Sequence, residues 1–370
     1  MSQKNFLYYS FAVVRVLLYP LSLVYGAVVW LRNRLYDTGF YSSIEFDVPV
    51  ITVGNLSVGG TGKTPHVEYL IRLLQYQYRV ATMSRGYKRR TQGFLLADET
   101  SNALHIGDEP MQYKMKYPDL VVSVAEERMV GIPKLLQKRP DVEAILLDDA
   151  FQHRSVKAGV NMLITDYSKP FYKDMILPMG TLRESPKAYK RADVIVVSKC
   201  PPNLSLEEAE EMKGKINPIG DQRVYFSTVD YHTPYDLLSH QQINLTNKNV
   251  VLVCCIAKPD PFVAYIKQKA KEVHTLTYND HHYFLKRDME EIKEAFDTWD
   301  VKDKVIVTTE KDAARLALHI DTLKEWGISI VIIPIAVSFL FQKGPEFDSF
   351  ILNYVANTIN ESNMLYGEEG

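Results

Sequence analysis

Residues 50–64, VITVGNLSVGGTGKT, set an apolar, β-branched run directly before a glycine-rich turn that ends in a lysine and a threonine. This segment constrains the fold most, because successive backbone NH groups converge on phosphate oxygens where a strand feeds the positive end of a helix. Gly59, Gly60 and Gly62 let the loop curl, and Ser57, Val58 and Thr61 complete it. Lys63 is placed to reach the β- and γ-phosphates of ATP and Thr64 to hold Mg²⁺. Ser57 stands where the GxxxxGK[ST] pattern begins with glycine. The fold class that follows is α/β, a P-loop NTPase-type parallel sheet flanked by helices.

The rest of the chain repeats that alternation. Strands are expected at 48–53, 79–83, 120–124, 144–147, 162–165 and 193–197, with helices at 64–75 and 127–137. A polar, loop-rich stretch at 201–222 precedes further strands at 224–227, 250–254, 272–277, 304–307 and 328–333. The expected organisation is an N-terminal membrane-associating helix at 1–35, a P-loop domain at 36–228 and a smaller α/β domain at 229–370 that contributes to the same cleft. The acidic tail after Glu361 is expected to be disordered. A length of 370 residues, 46% of them apolar, supports roughly two cores.

A net charge of −2 gives no long-range attraction to a phosphate backbone, so no nucleic-acid partner is expected. Cys200, Cys254 and Cys255 are odd in number and two are adjacent, which suits a reducing compartment. From Phe6 to Leu31 the chain is apolar apart from Arg15 and a few Ser, Tyr and Gly residues. Its uninterrupted part, 16–31, falls short of the roughly 20 residues a spanning helix needs and contains Pro20 and Gly26. A helix lying in the membrane surface is expected, with Lys4, Arg15, Arg32 and Arg34 toward headgroups and Trp30 in the interfacial layer. A helix buried in the protein is the alternative.

Asp148 and Asp149 close the apolar run 144–147 and are the natural metal-positioning acids, with Asp148 the ligand. Asp108 and Glu109 follow a glycine and precede Pro110, where a base could meet a hydroxyl; an acid-rich helix N-terminus explains them equally. His281 and His282 in NDHHY could orient or tune such a base, lie on a surface loop, or form half a metal site with His153. Arg85, Arg128 and Arg183 each sit near a strand end or helix start, where a guanidinium could clamp phosphate or lie at the surface. Thr309 to Asp312 reads as a helix cap with no chemistry.

Together these blocks resemble the tetraacyldisaccharide 4′-kinase family of lipid A biosynthesis. They are NLSVGGTGKT at 55–64, SRGYKRR at 84–90, GDEP at 107–110, LLDDAFQHR at 146–154, LPMGTLRE at 177–184, NDHHY at 279–283 and TTEKDAARL at 308–316. The resemblance implies transfer of the ATP γ-phosphate, with Mg²⁺, to the 4′-hydroxyl of a lipid A disaccharide 1-phosphate at the cytoplasmic face of the bacterial inner membrane, with no obligate protein partner. It implies catalytic roles for Asp108 as general base, for His281 rather than His282 as its assistant, and for Lys63 and Arg183. Thr64 and Asp148 would hold the metal, and Glu109, Arg85, Arg128 and Asp149 would form the surrounding shell. Cys255 in VCCIAKPDPF stands where the family pattern suggests glycine.

The rival reading is a membrane-associated regulatory P-loop ATPase. Such loops carry a lysine just before the glycine pair, where this chain has Val58. A nucleotide-binding scaffold without catalysis fits poorly with Lys63, Thr64, Asp148 and a separate Asp108 together.

Overall fold

The computed structural model describes residues 3–367, with side chains from 17 to 364, so the side chains of Lys4 and Arg15 lie outside the described residues. The chain forms two compact units. The first comprises 1–83, 127–229 and 337–370, and the second comprises 84–126 and 230–336. The expected contiguous blocks 36–228 and 229–370 are therefore corrected. Strand Ile335–Phe339 pairs beside Arg223–Tyr231 and returns the chain to the first sheet. Helix Gly344–Gly367 then buries Phe347, Ile351 and Val355 in the first unit. This helix also continues as far as Gly367, into the stretch after Glu361 expected to be disordered, whose last three residues lie outside the described ones.

In the first unit the strands lie in the order Ile335–Phe339, Arg223–Tyr231, Val194–Ser198, Val160–Asp166, Val50–Gly54, Ala144–Asp148, Val80–Ser84. Val50–Gly54 is central, parallel to both neighbours and wholly buried, which is why its sequence is a continuous apolar run rather than an alternation. Val53 pairs with Asp148, so the start of the P-loop and the expected metal acid leave the sheet side by side at its carboxyl edge.

Helix Gln3–Asp37 docks on the first unit through polar contacts. Ser22 Oγ donates to the Ile176 carbonyl at 3.1 Å, Tyr25 Oη to that of Arg183 at 2.9 Å, and Asn33 Nδ2 to Glu184 Oε2 at 2.9 Å. Leu17, Leu21, Val24, Val28 and Leu31, spaced alternately by four and three residues along one helical stripe, remain between 53% and 70% exposed. Among the described residues no helix is long and apolar enough to cross a membrane.

In the second unit a five-stranded sheet runs Glu272–Thr277, Asn249–Cys254, Lys304–Thr309, Ile330–Ile333, Tyr235–Asp236, parallel except for the last pair. Helix Asp108–Lys116 packs on helix Glu310–Leu316 in the same unit. The stretch 201–222, expected as loop, contains helix Leu206–Ile216, started by a Ser205–Glu208 capping box that satisfies otherwise orphaned NH groups.

Candidate active site

The phosphate loop is fixed from several sides. Gly62 adopts φ 95°, and a Cβ there would come within 2.6 Å of Ser198 Oγ, so both conformation and space demand glycine. Asn55 Nδ2 donates to Thr61 Oγ1 at 2.9 Å, and the Val58 NH donates to the Thr181 carbonyl at 2.8 Å. Ser57 and Thr61 are buried, whereas Val58 is exposed. The fully buried His66 donates from Nδ1 to the Gly62 carbonyl at 2.6 Å and accepts at Nε2 from Ser227 Oγ at 2.9 Å. Burial pushes its pKa down to about 4.

Past the loop, Asp149 draws two cations together. Lys63 Nζ lies 3.4 Å from its Oδ1 and Arg183 Nη1 lies 3.0 Å from the same atom. Burial alone would raise the Asp149 carboxyl, but the Lys63 and Arg183 charges outweigh it and hold the group below its usual range. Asp149 sits at φ 49°, a left-handed backbone that an aspartate tolerates better than most side chains. Asp148 ends its strand buried, and Thr64 lies in the first turn of helix Lys63–Leu74. A hydroxyl and a carboxylate are the hard oxygen donors Mg²⁺ takes, with the remaining positions left for phosphate and water. Among the described residues no group of three or more His, Cys, Asp or Glu side chains could hold a metal.

Arg128 differs from expectation. Its side chain is completely buried and Nη2 donates to the Asp148 carbonyl at 3.1 Å, so it braces the Asp148 backbone and is not presented to a phosphate. Lys199 was not singled out in the sequence. It follows strand Val194–Ser198 at φ 59°, and its Nζ reaches the Gly60 carbonyl and, at 3.3 Å, Asp166 Oδ2. Its position just beyond a buried strand at the carboxyl edge was the available signal.

The second unit carries a separate polar centre. Asp108 does not lie on a loop: it opens helix Asp108–Lys116, after Gly107 at φ 92°. Its carboxylate is fully buried and accepts from Arg315 Nε at 2.9 Å on Oδ1, and from Arg315 Nη2 at 2.5 Å and His281 Nδ1 at 2.7 Å on Oδ2. Burial alone would raise this carboxyl. The hydrogen bonds from His281 and Arg315 and the guanidinium charge overcome it and hold the group down at about 2. His281 Nε2 faces Lys311 Nζ at 3.1 Å, and Lys311 also pairs with Glu109 at 3.4 Å and Asp280 at 3.3 Å.

His282 points elsewhere, bonding Asp288 at 2.9 Å and stacking on Tyr278, where it serves the start of helix Lys286–Thr298. Arg85 is exposed. Lys311 and Arg315 both come from the block read as a simple cap. Thr309 does cap the helix, accepting from the Asp312 NH, but the cap also aims this short helix at Asp108.

A parallel sheet with a glycine-rich loop, a lysine and threonine at the helix start, and a buried acid on the adjacent strand defines a P-loop nucleotide-binding phosphotransferase. The family model "Tetraacyldisaccharide-1-P 4'-kinase" matches residues 14–356. The tetraacyldisaccharide 4′-kinase of Bacteroides thetaiotaomicron is 44% identical over 93% of this chain and 94% of its own length. That of Flavobacterium johnsoniae is 42% identical, covering 94% of this chain and 99% of its own. The crystal structure of an "apo" form LpxK from Aquifex aeolicus in complex with ATP superposes with a TM-score of 0.71 at 27% identity, covering 92% of this chain and 99% of that one. The chain belongs to the tetraacyldisaccharide 4′-kinase family.

Proposed function

We propose that this kinase moves the γ-phosphoryl group of ATP to the 4′-hydroxyl of a tetraacyldisaccharide 1-phosphate at the cytoplasmic membrane surface, and that His281 Nε2 takes the hydroxyl proton. The new bond joins phosphorus to the 4′-oxygen, and the bond to the β,γ-bridging oxygen breaks to release ADP. Loop NH groups and Lys63 hold the triphosphate, while Arg183 faces the charge that spreads over the transferring oxygens. Thr64 and Asp148 supply the oxygen ligands for Mg²⁺, which neutralises phosphate charge when bound.

The observation that carries the proton step is the state of Asp108. The Asp108 carboxylate is completely buried beneath its Arg315 and His281 partners, so a sugar hydroxyl has no surface of it to reach. His281 donates Nδ1–H to it, so Nε2 carries the ring's lone pair, which meets Lys311 Nζ at 3.1 Å and which the substrate hydroxyl would take over in place of the ammonium. Asp108 then orients the ring and stabilises the imidazolium formed as the proton arrives, so the expected roles of the two residues exchange.

His281→Ala is expected to lower kcat by about 10² to 10⁴, the usual contribution of proton transfer, with ATP affinity unchanged. Asp108→Asn is expected to follow it. Turnover near wild type in His281→Ala would remove the imidazole from this role.

The anchoring reading draws on the exposed stripe from Leu17 to Leu31, since an acyl-chain substrate remains in the bilayer and the enzyme must work at its surface.

A further inference from the structure

Helix Glu310–Leu316 is seven residues long, yet it carries one of the two largest fully buried side chains among the described residues, Arg315. A guanidinium away from water is costly unless its donors are met, so its partners state what it is for. Nε and Nη2 fork onto the two oxygens of Asp108, and Nη1 donates to the His282 carbonyl at 3.2 Å. Asp312, also fully buried, lies 3.6 Å from Nη1 on the other side. Asp312 is itself held by the Cys255 NH at 3.0 Å and Thr309 Oγ1 at 2.8 Å. The ring of Tyr283 lies 5.9 Å from the guanidinium carbon. A continuous chain of contacts thus runs from the end of strand Asn249–Cys254 through Asp312 and Arg315 to Asp108 and His281.

We propose that Arg315 is a positioning residue for the transfer reaction: its fork fixes the Asp108 carboxylate as an anion turned onto His281 Nδ1, with Asp312 holding Arg315 in turn. The proposal rests on the reading of Asp108 and His281 as the proton-accepting pair. Arg315 Nη2 also lies 3.1 Å from His281 Nδ1, the atom that binds Asp108, so Arg315 acts through this pair and not on the transferring group. The bidentate geometry is specific to a guanidinium, because a lysine ammonium offers a point charge with no fork. Without the fork, burial drives the Asp108 carboxyl toward its protonated form, and a neutral acid no longer stabilises an imidazolium.

The test is a double-mutant cycle on the full chain, reading kcat, KM for ATP, the pH dependence of kcat and the thermal midpoint. Arg315→Lys is expected to lower kcat about 10-fold or more with KM for ATP within about twofold. Arg315→Met is expected to lower it further and to start the acid-side loss of rate at a higher pH than in wild type. In an Asp108→Asn background, Arg315→Met should cost less than about threefold more, because its effect is already spent. The double variant removes both buried charges together, so the comparison survives if Arg315→Met alone does not fold. Wild-type kcat and pH profile in Arg315→Lys, or a full additional loss in the Asp108→Asn background, would overturn the proposal. If His281→Ala and Asp108→Asn themselves turn over normally, the proton-accepting pair falls first; if they fail and Arg315→Lys does not, this proposal alone falls.

Discussion

Two arginines, each expected near a strand end or helix start, end in different environments. Arg183 stays partly exposed beside Asp149 and Lys63, as the proposed role on the transferring phosphate requires. Arg128 is sealed inside on the Asp148 carbonyl. Arg183→Ala is therefore expected to lower kcat by about 10² or more with little change in thermal midpoint, whereas Arg128→Ala should lower the midpoint through an unmet buried carbonyl. Kinetics and calorimetry on the two variants separate these outcomes, and equal effects on both readouts would contradict the assignment. His66 gives a pH prediction. Its native value of about 4 lies below the 6.5 of an exposed ring, so the unfolded chain binds the proton more readily. The stability it supports is complete above about pH 6.5 and is lost as pH falls toward 4, on the order of 3 kcal/mol in all. Urea midpoints at pH 7 and pH 4.5 should fall more steeply in wild type than in His66→Gln, and parallel declines would refute this.

Among the elements, the N-terminal helix makes the clearest claim. Its polar residues Ser22, Tyr25 and Asn33 are tied to the first unit, while the Leu17, Leu21, Val24, Val28 and Leu31 stripe has no apolar cover. Replacing Leu17, Val24 and Leu31 with serine should reduce flotation with anionic liposomes while leaving nucleotide affinity within about twofold. Undiminished flotation would place the lipid contact elsewhere. Much of the sheet was legible because parallel strands buried on both faces must be β-branched runs, as in VITVG and AILLD. Helix Leu206–Ile216 is masked by a polar composition that suits a loop, although Ser205 and Glu208 stand at capping-box spacing. The Asp108 centre was legible only in part. GDEP and NDHHY flagged Asp108 and His281, but Arg315 and Lys311 hid behind a cap that explained their helix adequately. Arg315 lies 207 positions from Asp108 and His281 lies 173 from it, distances that no local periodicity encodes.

For the whole molecule, the division of labour follows from chemistry rather than from chain order. The first unit carries the glycine-rich loop, Thr64 and Asp148, and the exposed apolar helix; the second carries Asp108, His281 and Arg315. The chain enters the second unit twice, at 84–126 and 230–336, so the helix bearing Asp108 and the segment bearing His281 come from distant stretches of sequence. Deleting residues 1–31 is expected to reduce transfer to a lipid acceptor in membranes more than ATP binding, as nucleotide titration of the truncated chain would show. The most direct measurement is transfer of radiolabelled γ-phosphate from ATP to a lipid A disaccharide 1-phosphate in detergent, comparing wild type with Lys63→Ala and His281→Ala. The account predicts labelled lipid from wild type, none from Lys63→Ala and about 10² to 10⁴ less from His281→Ala. Hydrolysis of ATP by wild type with no label on the lipid would contradict it.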